Sequence, residues 1–207
     1  MKLTHSLSAV ALSLAALGAQ ATGLVLNGSF EDNAQASNTW SIYSTLIGGW
    51  TSDLNGIELR NNVAGKAQEG NNFVELDTTN NSAMYQTITG TGWVTLSFWY
   101  SARPNTGVTN QLDYSLGTLS GSVLNGVSNS TNSNNWQHYT GLANLGNSGT
   151  SVLSFSAQGT SDSYGGSIDN ISVTSAVPEP ESFAMLLAGM GLIGAVARRR
   201  QGKASVA

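Results

Sequence analysis

The chain has 207 residues, with 8 Lys or Arg against 12 Asp or Glu and no cysteine. Without cysteine there is no disulfide, no thiolate nucleophile and no zinc–thiolate site. The body between Thr22 and Ala176 holds only Arg60, Lys66 and Arg103 against ten carboxylates, a net charge of −7, which offers no basic patch to nucleic acid or to an anionic membrane surface.

The first 21 residues, MKLTHSLSAVALSLAALGAQA, place Lys2 and His5 before an apolar run from Leu7 to Gly18. Ala19-Gln20-Ala21 then has the small-x-small form of a cleavage site. This predicts a secretory signal peptide over residues 1–21, the other reading being a buried N-terminal helix.

From Thr22 to Ala176 the chain is rich in Gly, Ser, Thr and Asn, and short β-type runs recur between turn residues. The expected strands are Leu24–Leu26, Thr39–Tyr43, Gly56–Leu59, Phe73–Leu76, Met84–Thr89, Trp93–Ser101, Leu112–Leu116, Gly121–Leu124, Trp136–Gly141, Ser151–Ser156 and Gly166–Thr174. No stretch of the body has a helical period, and many short strands at this spacing predict an all-β sandwich or barrel. Trp93–Ser101 has the clearest period of two. Val94, Leu96, Phe98 and Tyr100 fall on a core face, and Trp93, Thr95, Ser97, Trp99 and Ser101 fall on the other. Asn125 to Asn135, NGVSNSTNSNN, reads as a long loop.

At the far end, Phe183 to Ala197 is an unbroken run of fifteen apolar or small residues, followed by Arg198, Arg199 and Arg200. As a helix the run would span roughly 22 Å, short of the ~30 Å hydrocarbon core. The arginines would stay cytoplasmic and the body outside, as the N-terminal segment requires. Gly189, Gly191 and Gly194 spell G-x-G-x-x-G inside this run. With no preceding strand and no acidic residue downstream they are not a dinucleotide site.

Pro178-Glu179-Pro180, the short hydrophobic helix and the arginine cluster, in that order, resemble a PEP-CTERM sorting signal. The resemblance implies a transient membrane handle over residues 177–200, with a cytoplasmic tail at 201–207. The handle would be recognised by an exosortase, a membrane-embedded cysteine protease, and processed near the Pro-Glu-Pro motif. It also implies export across the inner membrane of a Gram-negative, polysaccharide-producing bacterium, to the cell surface or extracellular matrix. The alternative is an ordinary weak anchor.

The order LVLNGSFED, GGW, EGNNFVELD, MYQTITG, VTLSFWYSAR, WQHYTG, SVLSFSAQG and GGSIDNISV resembles the body of DUF642-type proteins and related carbohydrate-binding modules. That resemblance implies a two-sheet antiparallel jelly-roll sandwich of the galactose-binding-like class over residues 22–176. It further implies a structural Ca²⁺ with Glu31 and Asp169 as side-chain ligands, and backbone oxygens near Asn27 and Asn71 as weaker candidates. The residues add a reason of their own. If Gly166–Thr174 is a regular strand, Asp169 shares a face with Ile171 and Val173, and a carboxylate on an apolar face needs a compensating partner. The other reading has Asp169 capping a turn and Glu31 in solvent.

For glycan contact the candidates are Trp99 on the polar face of its strand, Trp40 and Tyr43 beside a loop, and Arg103 just past a strand end. Sugars stack on such rings, with polar groups reading their hydroxyls. Trp50, Trp93 and Trp136 are expected in the core. His138, the sole histidine of the body, has no nucleophile or metal motif around it, and neither G-x-S-x-G nor H-E-x-x-H occurs. Glu58, Glu69, Glu75 and Asp77 supply carboxylates that the sequence does not pair, and the alternation of Glu75 with Asp77 predicts exposure. The expectation is a non-enzymatic, exported glycan-binding protein. The alternatives are a matrix or adhesion protein without a sugar site and, third, a glycan-active enzyme.

Overall fold

The structure is a computed structural model that describes residues 23–104, 106, 110–124, 134–176 and 186–194. Residues 21–178 form one compact unit, and residues 1–20 and 179–207 a second. The described part of the second unit is an α-helix over residues 186–194, with Leu186, Leu187, Met190, Leu192 and Ile193 exposed. No helix among the described residues is long and apolar enough to cross a membrane. The motif residues Pro178, Glu179, Pro180, Arg198, Arg199 and Arg200 lie outside the described residues, as do residues 1–22.

The body is a two-sheet antiparallel jelly-roll sandwich. Its strands are β1 (Thr39–Tyr43), β2 (Thr45–Leu46), β3 (Trp50–Ser52), β4 (Ile57–Asn61), β5 (Asn72–Glu75) and β6 (Ala83–Thr89), then β7 (Trp93–Ser101), β8 (Gln111–Leu116), β9 (Leu119–Leu124), β10 (Gln137–Asn144), β11 (Thr150–Ala157) and β12 (Ser167–Ser175). The first sheet runs β1-β4-β5-β12-β7-β10 and the second β2-β3-β6-β11-β8-β9. Between them lies one apolar core, to which β7 contributes Val94, Leu96, Phe98 and Tyr100 as its alternation requires. Phe98 meets Phe155 of the opposite sheet edge-on at 5.1 Å, and Phe30 tilts against the fully buried Trp50 at 5.8 Å.

Ten of the eleven expected strands are present within a few residues of their expected ends. β2 and β3, of two and three residues, are too short to leave a periodic signal. Leu24–Leu26 is not a strand. The chain makes one bridge, Gly23 to Thr174, and then turns at Asn27, where φ is 50°. The buried Gln86 side chain replaces strand pairing there, accepting the Leu26 N–H (3.0 Å) and donating to the carbonyls of Leu26 (2.9 Å) and Gly48 (3.1 Å). Of the three tryptophans expected in the core, only Trp50 is there. Trp93 is exposed, and the half-buried Trp136 packs on the outside of the first sheet, edge-on to Phe73.

β12 is not a regular strand either. Against β7, Asp169 pairs with Trp99 but Ser172 pairs with Ser97, a bulge centred on Asn170, whose φ is 47°. The bulge reverses the alternation. Ile168, Ile171 and Val173 face the core, while Asp169 faces outward beside Ser167, not with Ile171 and Val173 as regular alternation predicts. The bulge is braced by the NGSFE segment: the Ile171 N–H donates to the Gly28 carbonyl at 2.9 Å. A Cβ on Gly28 would stand 1.9 Å from the Ile171 carbonyl oxygen. Gly28→Ala should therefore destabilise the fold by about 3 kcal/mol or more. A thermal melt should register this as a fall in Tm of roughly 6–12 °C.

Candidate functional site

Part of the outward face of the first sheet is closed to solvent. Glu58, Arg60, Phe73, Glu75, Ser101, Ser167 and Asp169 all lie on it and all are buried. Beside residues 134–136 and 163–165, which contact Ser101, Phe73 and Glu75, the connection between β4 and β5, residues 62–71, lies over part of this face and is tied down from three directions. Asp169 Oδ2 accepts the backbone N–H groups of Gln68 (2.7 Å) and Glu69 (3.0 Å), while its Oδ1 accepts that of Asn170 (2.7 Å). Glu31 Oε1 accepts those of Asn71 (2.8 Å) and Asn72 (2.6 Å). Asn134 Nδ2 and Trp136 Nε1 both donate to the Lys66 carbonyl, at 2.9 and 3.0 Å.

Glu31 and Asp169, 138 positions apart, thus grip one loop and lie close enough for the Glu31 charge to act on Asp169. Burial pushes the Asp169 carboxyl up to about 7, and the Glu31 charge adds to this against the opposing pull of the three N–H donors. Hard carboxylate oxygens that repel one another, with no Lys or Arg among the described residues forming an ion pair with either, are donors that a hard cation such as Ca²⁺ would suit. Among the described residues no group of three or more His, Cys, Asp or Glu converges on such a point, so backbone or solvent oxygens would have to complete the shell. The Asn27 carbonyl already accepts the Phe30 N–H and Trp50 Nε1.

Under the same loop lies a buried charge cluster that the sequence does not announce. Arg60 is 2 % exposed. Its Nε donates to Glu58 Oε1 at 2.6 Å, and its Nη2 meets Glu75 Oε2. Glu75, fully buried, also accepts the Gly165 N–H and stands 3.6 Å from Arg103 Nη1. The expected exposure of Glu75 and Asp77 is therefore wrong: Asp77, 2 % exposed, accepts the N–H groups of Asp162 (3.0 Å) and Tyr164 (3.2 Å). Burial pushes the Asp77 carboxyl up and lowers the Arg60 guanidinium to about 10, which leaves Arg60 charged at neutral pH.

Arg103 links this cluster to the surface. Its Nη1 donates to the Ser163 carbonyl at 2.8 Å, and the guanidinium lies 4.5 Å over the Tyr164 ring. On one side it shares a cleft of ≈ 210 Å³ with Trp40, Glu58 and Arg60. On the other it lines a second cleft of ≈ 440 Å³ with Lys66 and Tyr164. Trp40 and Tyr164 are both about half exposed. The structure thus brings together two of the four residues singled out for glycan contact, Trp40 and Arg103. Trp99 shares the outward face but is separated from Trp40's strand by β4, β5 and β12, and stacks on His138 at 4.8 Å. Tyr43 packs against the core, its hydroxyl donating to Gln35 Oε1 at 3.2 Å.

Residues 176–201 match the sequence profile of the PEP-CTERM protein-sorting motif. The chain carries a PEP-CTERM sorting motif. Comparison of this PEP-CTERM chain with curated proteins finds no match. Among solved structures, its body is similar to a family 61 carbohydrate-binding module in complex with β-1,4-galactotriose, at 17% identity and a TM-score of 0.50, over 74% of this chain and 99% of that one. It is also similar to the Stig cyclase Fisc from Fischerella sp. TAU, at 14% identity and a TM-score of 0.54, over 77% of this chain and 100% of that one. At these identities the likeness establishes the jelly-roll fold that the PEP-CTERM chain shares with them.

The folded Asp169 carboxyl keeps its proton up to about pH 7, whereas an unfolded Asp releases it near ~3.9. Between those values the folded state binds more protons, so stability falls as pH rises through that window, and Asp77 acts in the same direction. In EDTA the Tm should decline from pH 4 to pH 7, and Asp169→Asn should flatten most of that decline in a series of thermal melts.

Proposed function

We propose that this is an exported protein, processed by an exosortase at its PEP-CTERM motif, that binds glycan in the cleft between Trp40 and Arg103. The observation that carries this reading is the pairing of a half-exposed tryptophan with a fixed polar floor. Trp40 offers a stacking face, and beside it Glu58, Arg60 and Arg103 are held by one another in set positions. Glycan recognition asks for this combination of apolar platform and preorganised polar groups. The jelly-roll fold, shared with a module seen holding a galactose oligomer, supports it.

A binding role suits the carboxylates better than catalysis. Glu58 and Glu75 face each other in register on β4 and β5, but Arg60 lies between them and engages both. A hydrolytic pair needs one carboxyl to give a proton and the other to attack or to activate water across an open gap. Here the gap is filled by a guanidinium.

Trp40→Ala should weaken retention of the full chain on the producing organism's polysaccharide by about tenfold or more, with little change in Tm. Trp99→Ala should weaken it less. Affinity electrophoresis or isothermal titration would measure both. Equal retention of wild type and Trp40→Ala would move the function to a matrix or adhesion protein without this sugar site.

The same reading includes a structural Ca²⁺ held by Glu31 and Asp169. It would supply positive charge to the two carboxylates and secure the loop they grip, with no part in any reaction. Millimolar CaCl₂ should raise the Tm of the wild type by several degrees, and should not raise that of the Glu31→Gln, Asp169→Asn double variant, in a calorimetric scan.

A further inference from the structure

Arg60, Lys66 and Arg103 are the only basic residues between Thr22 and Ala176, and all three border the paired clefts on one face of a body that otherwise carries ten carboxylates. The neighbouring carboxylates are already engaged. Glu58 and Glu75 hold Arg60, and Asp77 accepts the backbone N–H groups of Asp162 and Tyr164. The cations are not fully used. Arg60 Nη1 is buried and has no hydrogen-bond partner among the described residues. Among the described residues, Arg103 uses Nη1 on the Ser163 carbonyl and Glu75, and its face lies over Tyr164. A buried guanidinium nitrogen without an acceptor is costly, and acceptor oxygens bound in the cleft would relieve that cost.

From this arrangement we propose that the sugar recognised in the cleft carries a carboxylate, as in a uronic acid residue. This rests on the glycan-binding reading above and adds the substrate class. The carboxylate lies against the cleft side of Arg103, with an oxygen toward Arg60 Nη1 and not in the place Glu75 already takes, and the sugar ring lies on Trp40. A guanidinium donates to two carboxylate oxygens side by side from a planar fork, a geometry that a single hydroxyl cannot match. A neutral sugar hydroxyl could accept one of these N–H groups, but with a single, weaker bond.

The test compares short uronate oligosaccharides (galacturonate, glucuronate-containing and mannuronate) with the same oligosaccharides after chemical reduction of each carboxyl to the primary alcohol. Short ligands limit repulsion from the negative body, and titrations of the full chain run at two ionic strengths. The expected result is that at least one uronate binds about tenfold or more tightly than its reduced form. That preference should shrink as salt rises. Arg103→Gln should bring the two forms to within about threefold, by weakening the uronate more than its reduced form. Lys66→Gln, at an exposed position, should reduce the preference less. Arg103→Gln, half-buried and off the apolar core, avoids the folding risk of replacing Arg60, and its melt checks that it is folded. If the reduced forms bind as well as the uronates and Trp40→Ala abolishes both, the glycan cleft stands and the carboxylate proposal falls. If neither form binds, or if binding survives Trp40→Ala unchanged, the cleft reading falls and this proposal falls with it.

Discussion

The candidate site depends on a turn of backbone that has no regular structure of its own. Residues 62–71 lie over the outward face of the first sheet because Asp169 and Glu31 accept four of their backbone N–H groups, counting Asn72 at the start of β5. Carboxylates are strong acceptors for main-chain donors, and such bonds are roughly twice as strong as neutral ones when the acid is ionised. Asp169 can reach the loop only because β12 bulges at Asn170, and the bulge is held by its contact with Gly28. Remove the bulge and Asp169 would turn toward the core. The loop would lose one of its three ties.

What that cover shelters is unusual chemistry for a sheet exterior. A sandwich needs only its inner faces to be apolar, and the outer faces are ordinarily polar and wet. Here Glu58, Arg60 and Glu75 are charged, mutually paired and dry. Such a cluster stabilises little compared with apolar side chains of the same volume, because each ion loses its hydration. It does fix geometry. Each member can occupy only the position in which the others satisfy it, and Arg103, at the margin, inherits part of that rigidity through Glu75. A recognition site benefits from this, since side chains already in place lose little freedom when a ligand arrives.

The sequence shows the sandwich readily because the core face of each long strand alternates without interruption, as Val94, Leu96, Phe98 and Tyr100 do on β7. That Glu31 and Asp169 belong together comes from the resemblance to carbohydrate-binding modules, the residues themselves saying only that Asp169 needs a partner. It misleads where alternation is read as exposure. Glu58 with Arg60, and Glu75 with Asp77, alternate with apolar neighbours as solvent-facing residues would, and whether a distant loop then covers them is not written in their own segments. The β12 bulge escapes for a related reason: one residue with positive φ reverses an apparent period, and Asn170 is a residue type that accepts such a backbone quietly. Tyr164 sits in a run of Gly, Ser and Asp and gains meaning only from the guanidinium stacked on it. Conversely, Trp99 has the sequence profile of a sugar platform, but its ring stacks on His138.

The strand order also sets a schedule. β12 is the last strand to be made, yet it lies in the interior of the first sheet, hydrogen-bonded to β5 on one side and to β7 on the other. Until residue 175 is available, β1, β4 and β5 have no link to β7 and β10 in that sheet, and the loop that Asp169 tethers lacks one of its three ties. Pairings this distant along the chain are slow to form, because a long loop must be closed before any contact rewards it. An incomplete body therefore lacks the strand that joins the two halves of its first sheet. For a chain exported as proposed, lateness is useful: it can pass a membrane as an unfolded thread, and its final strand locks the sheet once the whole body has crossed.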